Sequence, residues 1–547
     1  MKTSVRSMLL ATILAGSGLL LLHPAQASAG AALDCQGLKA AHEDGVEVET
    51  ATHSEAGPVL LPAFGGPPVS VSLPAACTVT GVVGARTAAD GRKFGVRFEL
   101  RLPDDWNGRF FFQGGGGMDG SVNPAVGRVG AGAPALARGY AVVSMDGGHE
   151  GLDAGFASDQ QARLDFAYQA VGKATHAAKA LIGAYYHRGP QHAYFIGCSN
   201  GGREAMIAVQ RYPLEFDGVV AGAPGFRLSR AAIQEAFANQ ALASIAPRDS
   251  RGLPDLSSAL TDADLKLVSG TVLKACDAKD GLADGMVSHP AACSFSVRSL
   301  ACRPGLAASC LAPEKARVLD AIFAGAKDSR GRPLYSRFYW DSGISEPGWR
   351  QWMLGVPGKM PALNVALGGD SLSRYFMTPA QPGRSPFDID LDRSVEQTAQ
   401  TAAINDATGT LLNSYTGHGG KLILYHGVSD PVFSAADTVD WYDSLSHDDP
   451  GGAAAVRLFL VPGMTHCGGG RATDQFDMLS AIEAWVEQGK APDAVPAEGG
   501  PALPGVSRPL CAYPAYPRYK GGDPNLAASF TCVADPSAPG RQASGGS

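Results

Sequence analysis

The stretch that decides the fold is Ala193-Tyr194-Phe195-Ile196-Gly197-Cys198-Ser199-Asn200-Gly201, in a chain of 547 residues. Its first four residues form a short apolar run, which is typical of a strand buried in a parallel sheet. Residues 203–210 then carry apolar side chains at helical spacing, and residues 197–201 match the pattern G-x-S-x-G. Between a strand and a helix, this pattern indicates a nucleophile elbow, a sharp turn that needs small residues beside its serine. The pattern alone occurs by chance in many proteins, so its setting is what predicts a nucleophile at Ser199.

Strand-like and helical segments alternate around this turn. The predicted strands are 94–102, 109–113, 140–144, 193–196, 217–221, 421–425 and 456–461, and the predicted helices are 162–186, 203–210 and 473–487. This alternation favours a doubly wound, mostly parallel α/β sheet. Residues 226–410 interrupt the alternation. We therefore interpret them as an inserted lid domain between a first core part, 30–225, and a second core part, 411–547.

A serine nucleophile needs a base and an acid that orients the base, in the chain order Ser, Asp, His for this kind of sheet. Asp430 and His466 each follow a predicted strand, and the carboxyl ends of strands are where α/β sheets place their sites. An aspartate before proline also serves as a turn residue, and His149 and His426 lie near strand ends as well. Order, spacing and placement together favour a triad of Ser199, Asp430 and His466.

The same chemistry needs an oxyanion hole, in which two backbone N–H groups face the charge that develops on the substrate. The residue after the nucleophile, Asn200, supplies one of them. The run Gly114-Gly115-Gly116-Gly117 follows an early predicted strand and corresponds to the glycine-rich turn that supplies the other. A phosphate-binding loop is excluded, because no Lys-Ser or Lys-Thr follows the glycines and the spacing is not G-x-G-x-x-G.

The N-terminus has the pattern of a secretory signal peptide, predicted over residues 1–29. Lys2 and Arg6 precede an apolar run, 8–22, and the small residues of 25–29 follow it. A membrane anchor is the alternative, but a run of about 15 residues is shorter than the roughly 20 that span a bilayer. We therefore expect the mature protein in the periplasm or outside the cell, with no membrane partner after signal cleavage.

Ten cysteines remain in this exported chain, and an even number in an oxidising compartment indicates disulfides. Zinc is disfavoured, because the chain has no C-x-x-C pair. Sequence proximity favours the pairs Cys35–Cys77, Cys276–Cys293, Cys302–Cys310 and Cys511–Cys532. The remaining two, Cys198 and Cys467, adjoin the predicted nucleophile and base. A bond between them would clamp the two catalytic loops together, and two unrelated buried thiols are the alternative.

An acidic, glycine-containing loop lies in the predicted lid. Asp277, Asp280 and Asp284 fall close together in this loop, which suits a hard cation that takes six to eight oxygen ligands. The loop is not an EF-hand, because its spacing differs and Ser288 stands where the last ligand would be glutamate. The alternative is a solvated acidic turn that the pair Cys276–Cys293 would staple in either case.

Composition and charge limit the partners. Hydrophobic residues make up 45% and charged residues 18%, which permits a large buried core and argues against disorder. The net charge is −7, and the chain contains no block of basic residues, so we expect no nucleic-acid partner. The expected partner is a small substrate, and the protein is expected to be a monomer.

These motifs resemble the tannase and feruloyl esterase family of α/β-hydrolases. The resemblance covers nearly the whole mature chain and is carried by WNGRFF (106–111), FIGCSNGGRE (195–204), CDAKDGLADG (276–285) and RLFLVPGMTHC (457–467). It implies an α/β-hydrolase fold with a large inserted lid. It also implies a catalytic triad of Ser199, Asp430 and His466, with oxyanion donors at the amides of Gly117 and Asn200.

The resemblance further implies ligands and pocket residues that spacing does not reveal. It implies a structural Ca²⁺ in the lid, with these ligands: the carboxylates of Asp277, Asp280 and Asp284 and the carbonyls of Leu282 and Met286. It places Phe433 beside the acyl pocket, and it matches the five cysteine pairs given above. The lid departs from the family pattern where specificity is set, because residues 371–380 contain no Trp. Arg384 and Arg374 are the lid candidates to grip a substrate carboxylate, and Arg384 is the one assigned to the site.

Together with the resemblance, these observations predict a secreted serine carboxylesterase for small aromatic esters. The resemblance implies mono(2-hydroxyethyl) terephthalate as the leading substrate. Phe433 and the lid aromatics Tyr375 and Phe376 would wall the acyl pocket, and Arg384 would pair with the free carboxylate, which is costly to bury unpaired. A feruloyl esterase or tannase that acts on plant phenolic esters is the alternative. A non-catalytic binding protein on a hydrolase scaffold is the remote alternative, and the intact Ser, Asp and His argue against it.

Overall fold

The computed structural model describes residues 34–41, 45–63, 66–128, 130–303 and 310–535. Its strands are β1 (Val46–Ser54), β2 (Gly57–Ala63), β3 (Gly66–Leu73), β4 (Ala76–Thr87), β5 (Lys93–Pro103), β6 (Arg109–Gln113), β7 (Ala141–Met145), β8 (His192–Cys198), β9 (Gly218–Gly222), β10 (Lys421–Gly427), β11 (Val456–Val461), β12 (Gln475–Phe476), β13 (Ala494–Glu498), β14 (Ser507–Cys511), β15 (Ala515–Tyr519) and β16 (Phe530–Ala534). Its α-helices are α1 (Gln160–Leu164), α2 (Ala170–Tyr186), α3 (Asn200–Arg211), α4 (Leu228–Ala243), α5 (Asp262–Cys276), α6 (Pro313–Phe323), α7 (Pro347–Met353), α8 (Leu391–Asn405), α9 (Asn413–Thr416), α10 (Ala435–Asp448), α11 (Pro450–Ala453) and α12 (Met478–Gln488). The predicted signal peptide lies outside the described residues. None of the described helices is long and apolar enough to cross a lipid bilayer.

Nine of the described strands form the main sheet, in the order β1-β4-β5-β7-β6-β8-β9-β10-β11. β1, β4 and β5 pair antiparallel with their neighbours, whereas the strands from β7 to β11 in that order pair parallel. In the parallel part, Cys198 of β8 and Tyr425 of β10 both lie opposite Gly222 of β9. Gly427 of β10 lies opposite Val461 of β11. The loops after β8, β10 and β11 therefore leave the sheet at one edge, and they carry the three predicted triad residues.

The predicted strands are all present, with ends that differ by at most two residues. The long predicted helix, 162–186, is interrupted by a π-helical turn at Asp165–Gln169 between α1 and α2. The last predicted helix begins later than expected, at Met478. Two residues before it pair as β12, and the Asp477 side chain accepts a hydrogen bond from Ser480 N–H and caps the helix.

Successive side chains of a strand point to opposite faces of the sheet, so the apolar strands give the sheet two apolar faces. Helices cover both of them. Phe110 and Phe112 of β6 pack with Phe195 of β8 and with residues of α2 and α3. The Phe112 and Phe195 rings stack with centroids 4.6 Å apart. Phe111 and Tyr194 point to the other face and pack against α12. The central residues of the parallel strands are thus mostly apolar and buried, as their sequence pattern indicated.

Residues 226–410 connect β9 to β10, which are adjacent parallel strands. The segment contains α4 to α8 and, among its described residues, no strand. It has a hydrophobic core of its own, to which α5 contributes Leu265 and Val268 and α6 contributes Leu319 and Ile322. The segment is therefore a helical insertion at the point where the alternation of strands and helices fails. Its predicted role as a lid stays a prediction.

The ten cysteines all lie in described residues and form five disulfides, with no cysteine left free. The pairs are Cys35–Cys77, Cys198–Cys467, Cys276–Cys293, Cys302–Cys310 and Cys511–Cys532. Sequence proximity predicted four of these pairs, and the fifth follows from the meeting of β8 and β11 loops at one edge of the sheet.

Candidate active site

Ser199 occupies a strained turn between β8 and α3. Its φ is 64°, in the left-handed region that residues with a side chain seldom adopt. A Cβ at Gly197 would lie 2.3 Å from the Gly201 carbonyl oxygen, and a Cβ at Gly201 would lie 2.6 Å from the Gly115 carbonyl oxygen. Both positions therefore require glycine. The turn has the geometry that the G-x-S-x-G pattern predicted, with the serine presented at the carboxyl edge of the sheet.

The structure brings the three predicted triad residues together. His466 Nε2 lies 2.8 Å from Ser199 Oγ, and His466 Nδ1 lies 2.8 Å from Asp430 Oδ2. In this arrangement the imidazole can accept the serine proton through Nε2, while the carboxylate accepts a hydrogen bond from Nδ1–H. Ser199 and His466 are partly buried, and Asp430 is fully buried.

Asp430 is held as an anion by its surroundings. Its Oδ1 accepts hydrogen bonds from the backbone N–H groups of Val432 and Phe433 at 2.8 and 3.1 Å. Burial acts to raise the pKa of the Asp430 carboxyl, but the charges and hydrogen bonds of His466 and His426 outweigh burial and hold the pKa well below its usual value. His426, the alternative base, also contacts Asp430 through its Nε2. The same nitrogen lies 3.1 Å from the Phe433 carbonyl oxygen. His426 is therefore a partner of the acid, and neither of these contacts involves Ser199.

The disulfide Cys198–Cys467 joins the residue before the serine to the residue after the histidine, with Cα atoms 6.0 Å apart. Cys467 has a φ of 63°, so the base loop also turns sharply at this point. A covalent bond between the two loops fixes the distance across which Ser199 and His466 interact.

A buried carboxylate from the insertion ties the acid and base loops together, and the sequence did not reveal it. Asp341 Oδ2 accepts hydrogen bonds from Ser429 Oγ and from Gly463 N–H, both at 2.7 Å. Ser429 precedes Asp430, and Gly463 lies three residues before His466. The insertion thus contributes to the placement of the triad, although nothing in the local pattern around Asp341 indicates this contact.

One predicted oxyanion donor, Asn200, directly follows Ser199, and the other, Gly117, lies in the glycine-rich turn. Asn200 is the first residue of α3, where backbone N–H groups point away from the helix without intrahelical partners. Gly117 has a φ of 61°, which glycine adopts without strain. The glycine-rich turn packs on the nucleophile turn, since a Cβ at Gly114 would lie 2.9 Å from the Gly201 Cα.

Two aromatic rings flank the catalytic imidazole. The rings of Trp352 and Phe433 make edge contacts with the His466 ring, at centroid distances of 5.0 and 5.4 Å. Phe433 was predicted beside the acyl pocket. The sequence analysis did not predict Trp352, which lies in α7 of the predicted lid. A Trp in a helix is as typical of a hydrophobic core as of a binding pocket. Trp352 is partly buried and Phe433 is 5% exposed, and both place an apolar ring against the catalytic imidazole.

Other predicted pocket residues lie elsewhere. Tyr375 and Phe376 are 0% exposed, and Tyr375 Oη donates to Asn405 Oδ1 at 3.1 Å, so both belong to the core rather than to a pocket wall. Arg384 is exposed, and its Nε and Nη2 donate to the Asp388 carbonyl oxygen at 3.0 and 2.5 Å. These bonds hold the guanidinium to its own loop.

The acidic lid loop is organised mainly by its own amides. Asp277 accepts from the N–H groups of Asp284 and Gly285, and Asp280 Oδ1 accepts from Leu282 N–H at 3.0 Å. Asp280 Oδ2 is buried and has no hydrogen bond of good geometry among the described residues, although the Ser288 hydroxyl lies close enough to the carboxyl to act against its protonation. Burial outweighs this contact and raises the pKa of Asp280 to about 6. An unpartnered buried carboxylate oxygen fits a cation.

Other contacts of the same loop compete with a cation. Asp284 Oδ2 pairs with Arg508 Nη2 at 2.5 Å, which already balances its charge. Within the part of the chain that the structure describes, no group of three or more His, Cys, Asp or Glu side chains is arranged to hold a metal ion. Calcium binding by Asp277, Asp280, Asp284, Leu282 and Met286 therefore stays a prediction.

Comparison with known sequences agrees with this geometry. Residues 77–533 match the family described as "Tannase and feruloyl esterase". The chain is 40% identical to mono(2-hydroxyethyl) terephthalate hydrolase of Piscinibacter sakaiensis, over 92% of each chain. It is 30% identical to a probable feruloyl esterase of Arthroderma benhamiae, over 80% of this chain and 82% of the relative.

Solved structures give the same fold. Feruloyl esterase B from Aspergillus oryzae superposes with a TM-score of 0.77 at 24% identity, over 91% of this chain and 99% of that one. Tannin acyl hydrolase from Aspergillus niger superposes with a TM-score of 0.68 at 23% identity, over 91% and 94%. The fold is that of the α/β-hydrolases. The chain belongs to the tannase and feruloyl esterase family and is a carboxylic ester hydrolase.

Proposed function

We propose that the protein is an exported serine esterase that hydrolyses small aromatic carboxylic esters through Ser199, His466 and Asp430. The observation that carries the proposal is the hydrogen-bonded series from Ser199 Oγ through His466 to Asp430, with 2.8 Å at each step. Family membership supplies the ester-hydrolysing chemistry, and the two rings on His466 favour an aromatic acyl group.

The reaction proceeds in two halves. Ser199 Oγ attacks the ester carbonyl carbon as its proton passes to His466 Nε2, and the tetrahedral intermediate places its oxyanion at the amides of Gly117 and Asn200. Collapse breaks the bond to the alcohol, which leaves with the proton from His466. Water then attacks the acyl-enzyme with His466 again as base, and the acid is released with Ser199 restored.

Asp430 keeps the imidazole in the required tautomer. Because its pKa is held well below the usual value, the Asp430 carboxylate stays ionised throughout the neutral pH range. It accepts from Nδ1–H and stabilises the imidazolium that forms during each half-reaction, without taking the proton itself.

The leading substrate is mono(2-hydroxyethyl) terephthalate, which would yield terephthalate and ethylene glycol. The 40% identity to the hydrolase of that ester supports this choice. The benzoyl ring would lie between Trp352 and Phe433, and Arg384 would have to leave the Asp388 carbonyl to meet the para-carboxylate. The feruloyl esterases and tannase among the relatives favour plant phenolic esters as the second candidate.

A turnover panel separates these substrates. Purified enzyme would be assayed with mono(2-hydroxyethyl) terephthalate, the matching benzoate ester, methyl ferulate and methyl gallate, with Ser199→Ala as the blank. We expect hydrolysis of aromatic esters, with the highest kcat/KM on the terephthalate monoester. A higher kcat/KM on ferulate or gallate would replace the terephthalate assignment with the second candidate, and no turnover of any ester would contradict the proposal.

Arg384→Ala tests the carboxylate grip, with Arg374→Ala as the matched control. Arg374, the other lid candidate, lies in the same insertion, and the structure pairs its guanidinium with Asp370 at 2.7 Å. If Arg384 binds the carboxylate, its loss should lower kcat/KM on the terephthalate monoester and spare the uncharged benzoate ester. Equal loss on both esters would mean that Arg384 only holds its own loop.

The calcium ion and the cellular location are part of the same proposal. Five disulfides suit an oxidising compartment, which agrees with a cleaved signal peptide and a periplasmic or extracellular enzyme. A Ca²⁺ at Asp277, Asp280 and Asp284 would be structural, and its binding would require Asp284 to share its charge with Arg508. Metal analysis of the purified protein tests this site.

A further inference from the structure

Two buried carboxyl groups contact the glycine-rich turn that carries the predicted oxyanion donor Gly117, and they take no part in the triad. Asp119 and Glu204 are 5% and 2% exposed. Asp119 follows Gly117 by two residues, and Glu204 lies in α3 five residues after Ser199. The two carboxyls are adjacent, because Asn200 Nδ2 lies 2.9 Å from Asp119 Oδ2 and 3.5 Å from Glu204 Oε1, and they are hydrogen-bonded to each other. Since an ionised carboxylate only accepts hydrogen bonds, this contact requires a proton on one of the two.

The remaining oxygens of the pair hold the glycine-rich turn. Glu204 Oε2 accepts from Gly115 N–H at 2.8 Å, and Asp119 Oδ1 accepts from Gly116 N–H at 3.0 Å. A Cβ at Gly115 would lie 2.0 Å from Asp119 Oδ1, so the contact needs glycine at that position. Two consecutive amides are thus turned inward to the pair. The next amide in the turn is that of Gly117, the predicted oxyanion donor.

The same pair holds the side chain of Asn200, whose amide is the other predicted donor. Asn200 Nδ2 donates to Asp119 Oδ2 at 2.9 Å, and Arg203 Nε donates to Asn200 Oδ1 at 2.7 Å. Arg203 is fully buried, and its other nitrogens donate to backbone carbonyls of Phe166 and Ala167. One proton on the pair leaves a single negative charge, which the Arg203 guanidinium balances.

The two carboxyls share one proton, and the electrostatics favour Glu204 as the residue that carries it. Burial raises the pKa of both carboxyls, and the charge of Asp119 raises the pKa of Glu204 further, to well above its usual value. A neutral Glu204 donates to Asp119 and accepts from Gly115 N–H. Glutamine can make the same two hydrogen bonds, because its amide carries both a donor and an acceptor.

We propose that Asp119 and Glu204 are positioning residues for the oxyanion hole, which act through the backbone of residues 115–117 and through the side chain of Asn200. Neither touches the substrate. Loss of one oxyanion donor lowers kcat on the order of 10²–10³-fold, so a donor displaced from its position should cost a measurable part of that factor. The inference rests on the proposed Ser199 mechanism and states what holds its oxyanion donors in place.

The test compares two variants of nearly equal volume. Glu204→Gln keeps both hydrogen bonds, and Glu204→Met removes them. We expect Glu204→Gln to retain kcat within about threefold, and Glu204→Met to lose on the order of 10- to 100-fold in kcat with KM little changed. A phenylboronic acid forms a tetrahedral adduct on Ser199, so its Ki should rise in parallel with the loss of kcat in the Met variant only.

Each outcome decides the inference. A Glu204→Met variant with wild-type kcat, or one whose Ki for the boronic acid is unchanged, would overturn it. An equal loss in both variants would also overturn it, since the hydrogen bonds would then not be the cause. If wild-type enzyme shows no Ser199-dependent turnover, the proposed function fails first and separately. If Glu204→Met does not fold, Asn200→Ala takes its place, since it removes one contact to the pair and should lower kcat without raising KM.

Discussion

Removal of the Cys198–Cys467 disulfide should impair turnover beyond its effect on folding. The bond closes a loop of 269 residues, for which the chain-entropy relation gives an upper figure of about 5.6 kcal/mol of stability. Its catalytic effect is separate, because the bonded residues adjoin Ser199 and His466, which interact over 2.8 Å. A misplacement of about 1 Å can cost on the order of a hundredfold in rate. We therefore expect Cys198→Ala/Cys467→Ala to lose roughly ten- to a hundredfold in kcat per folded molecule.

The matched control is Cys35→Ala/Cys77→Ala. That bond closes 42 residues at the antiparallel end of the sheet, and the same relation gives an upper figure of about 4 kcal/mol. Both double variants should therefore lose stability in urea titrations followed by circular dichroism. Only the Cys198/Cys467 variant should lose kcat after correction for the folded fraction. A wild-type kcat in that variant would refute the reasoning and leave the bond as a staple of the fold.

The other predictions concern the nucleophile, the acyl pocket, the metal and the pH dependence of stability. Ser199→Ala should fold normally, with an unchanged circular dichroism spectrum, and lose several powers of ten in kcat; near wild-type activity would remove Ser199 from the mechanism. Trp352→Ala should lower kcat/KM roughly tenfold or more for benzoate esters and little for a small acetate ester, because the lost surface contacts the acyl ring; equal losses on both esters would point to damage at His466. If the lid loop holds Ca²⁺, chelator should lower the melting temperature of the purified enzyme, since a ligand of the folded state stabilises it; an unchanged melting curve and no metal in the protein would favour the solvated turn. Glu235 of α4 lines a cavity next to Asp430, and burial and the charge of Asp430 raise its pKa to about 8. The folded state keeps this proton where the unfolded chain loses it, so wild-type stability should fall from about pH 5 to about pH 8 by a few kcal/mol more than that of Glu235→Gln, as measured by urea unfolding, and parallel curves would contradict this assignment.

The parts of the fold that the sequence predicts are those set by local pattern. The parallel strands are short apolar runs, and the nucleophile turn needs glycine on both sides of Ser199, so both are visible in the sequence. Asp430 and His466 could be predicted because parallel strands end at one edge and the triad follows a fixed chain order. The order of the sheet and its antiparallel end depend on pairing between distant segments, which periodicity does not encode.

The missed site residues depend on the insertion. Trp352 and Asp341 reach the triad only because residues 226–410 fold back over the edge of the sheet, more than a hundred residues from Ser199. Tyr375 and Phe376 were expected in the pocket wall but lie in the core. The sequence does not distinguish the two places, because an aromatic residue is typical of both. Glu204 ends the stretch 195–204 that carries the family resemblance, but no motif links it to Asp119, and the role of the pair follows from their contact in the fold.

The central claim is that Ser199 is the nucleophile of an esterase, and labelling with an alkyl phosphonate tests it most directly. The reagent would be incubated with wild-type enzyme and with His466→Ala, and the digested proteins would be mapped by mass spectrometry. We predict one adduct per wild-type molecule, on the peptide that contains Ser199, with activity lost in proportion, and little labelling of His466→Ala because the base is absent. Unlabelled Ser199 in active enzyme, or an adduct on another residue that accounts for the loss of activity, would contradict the account.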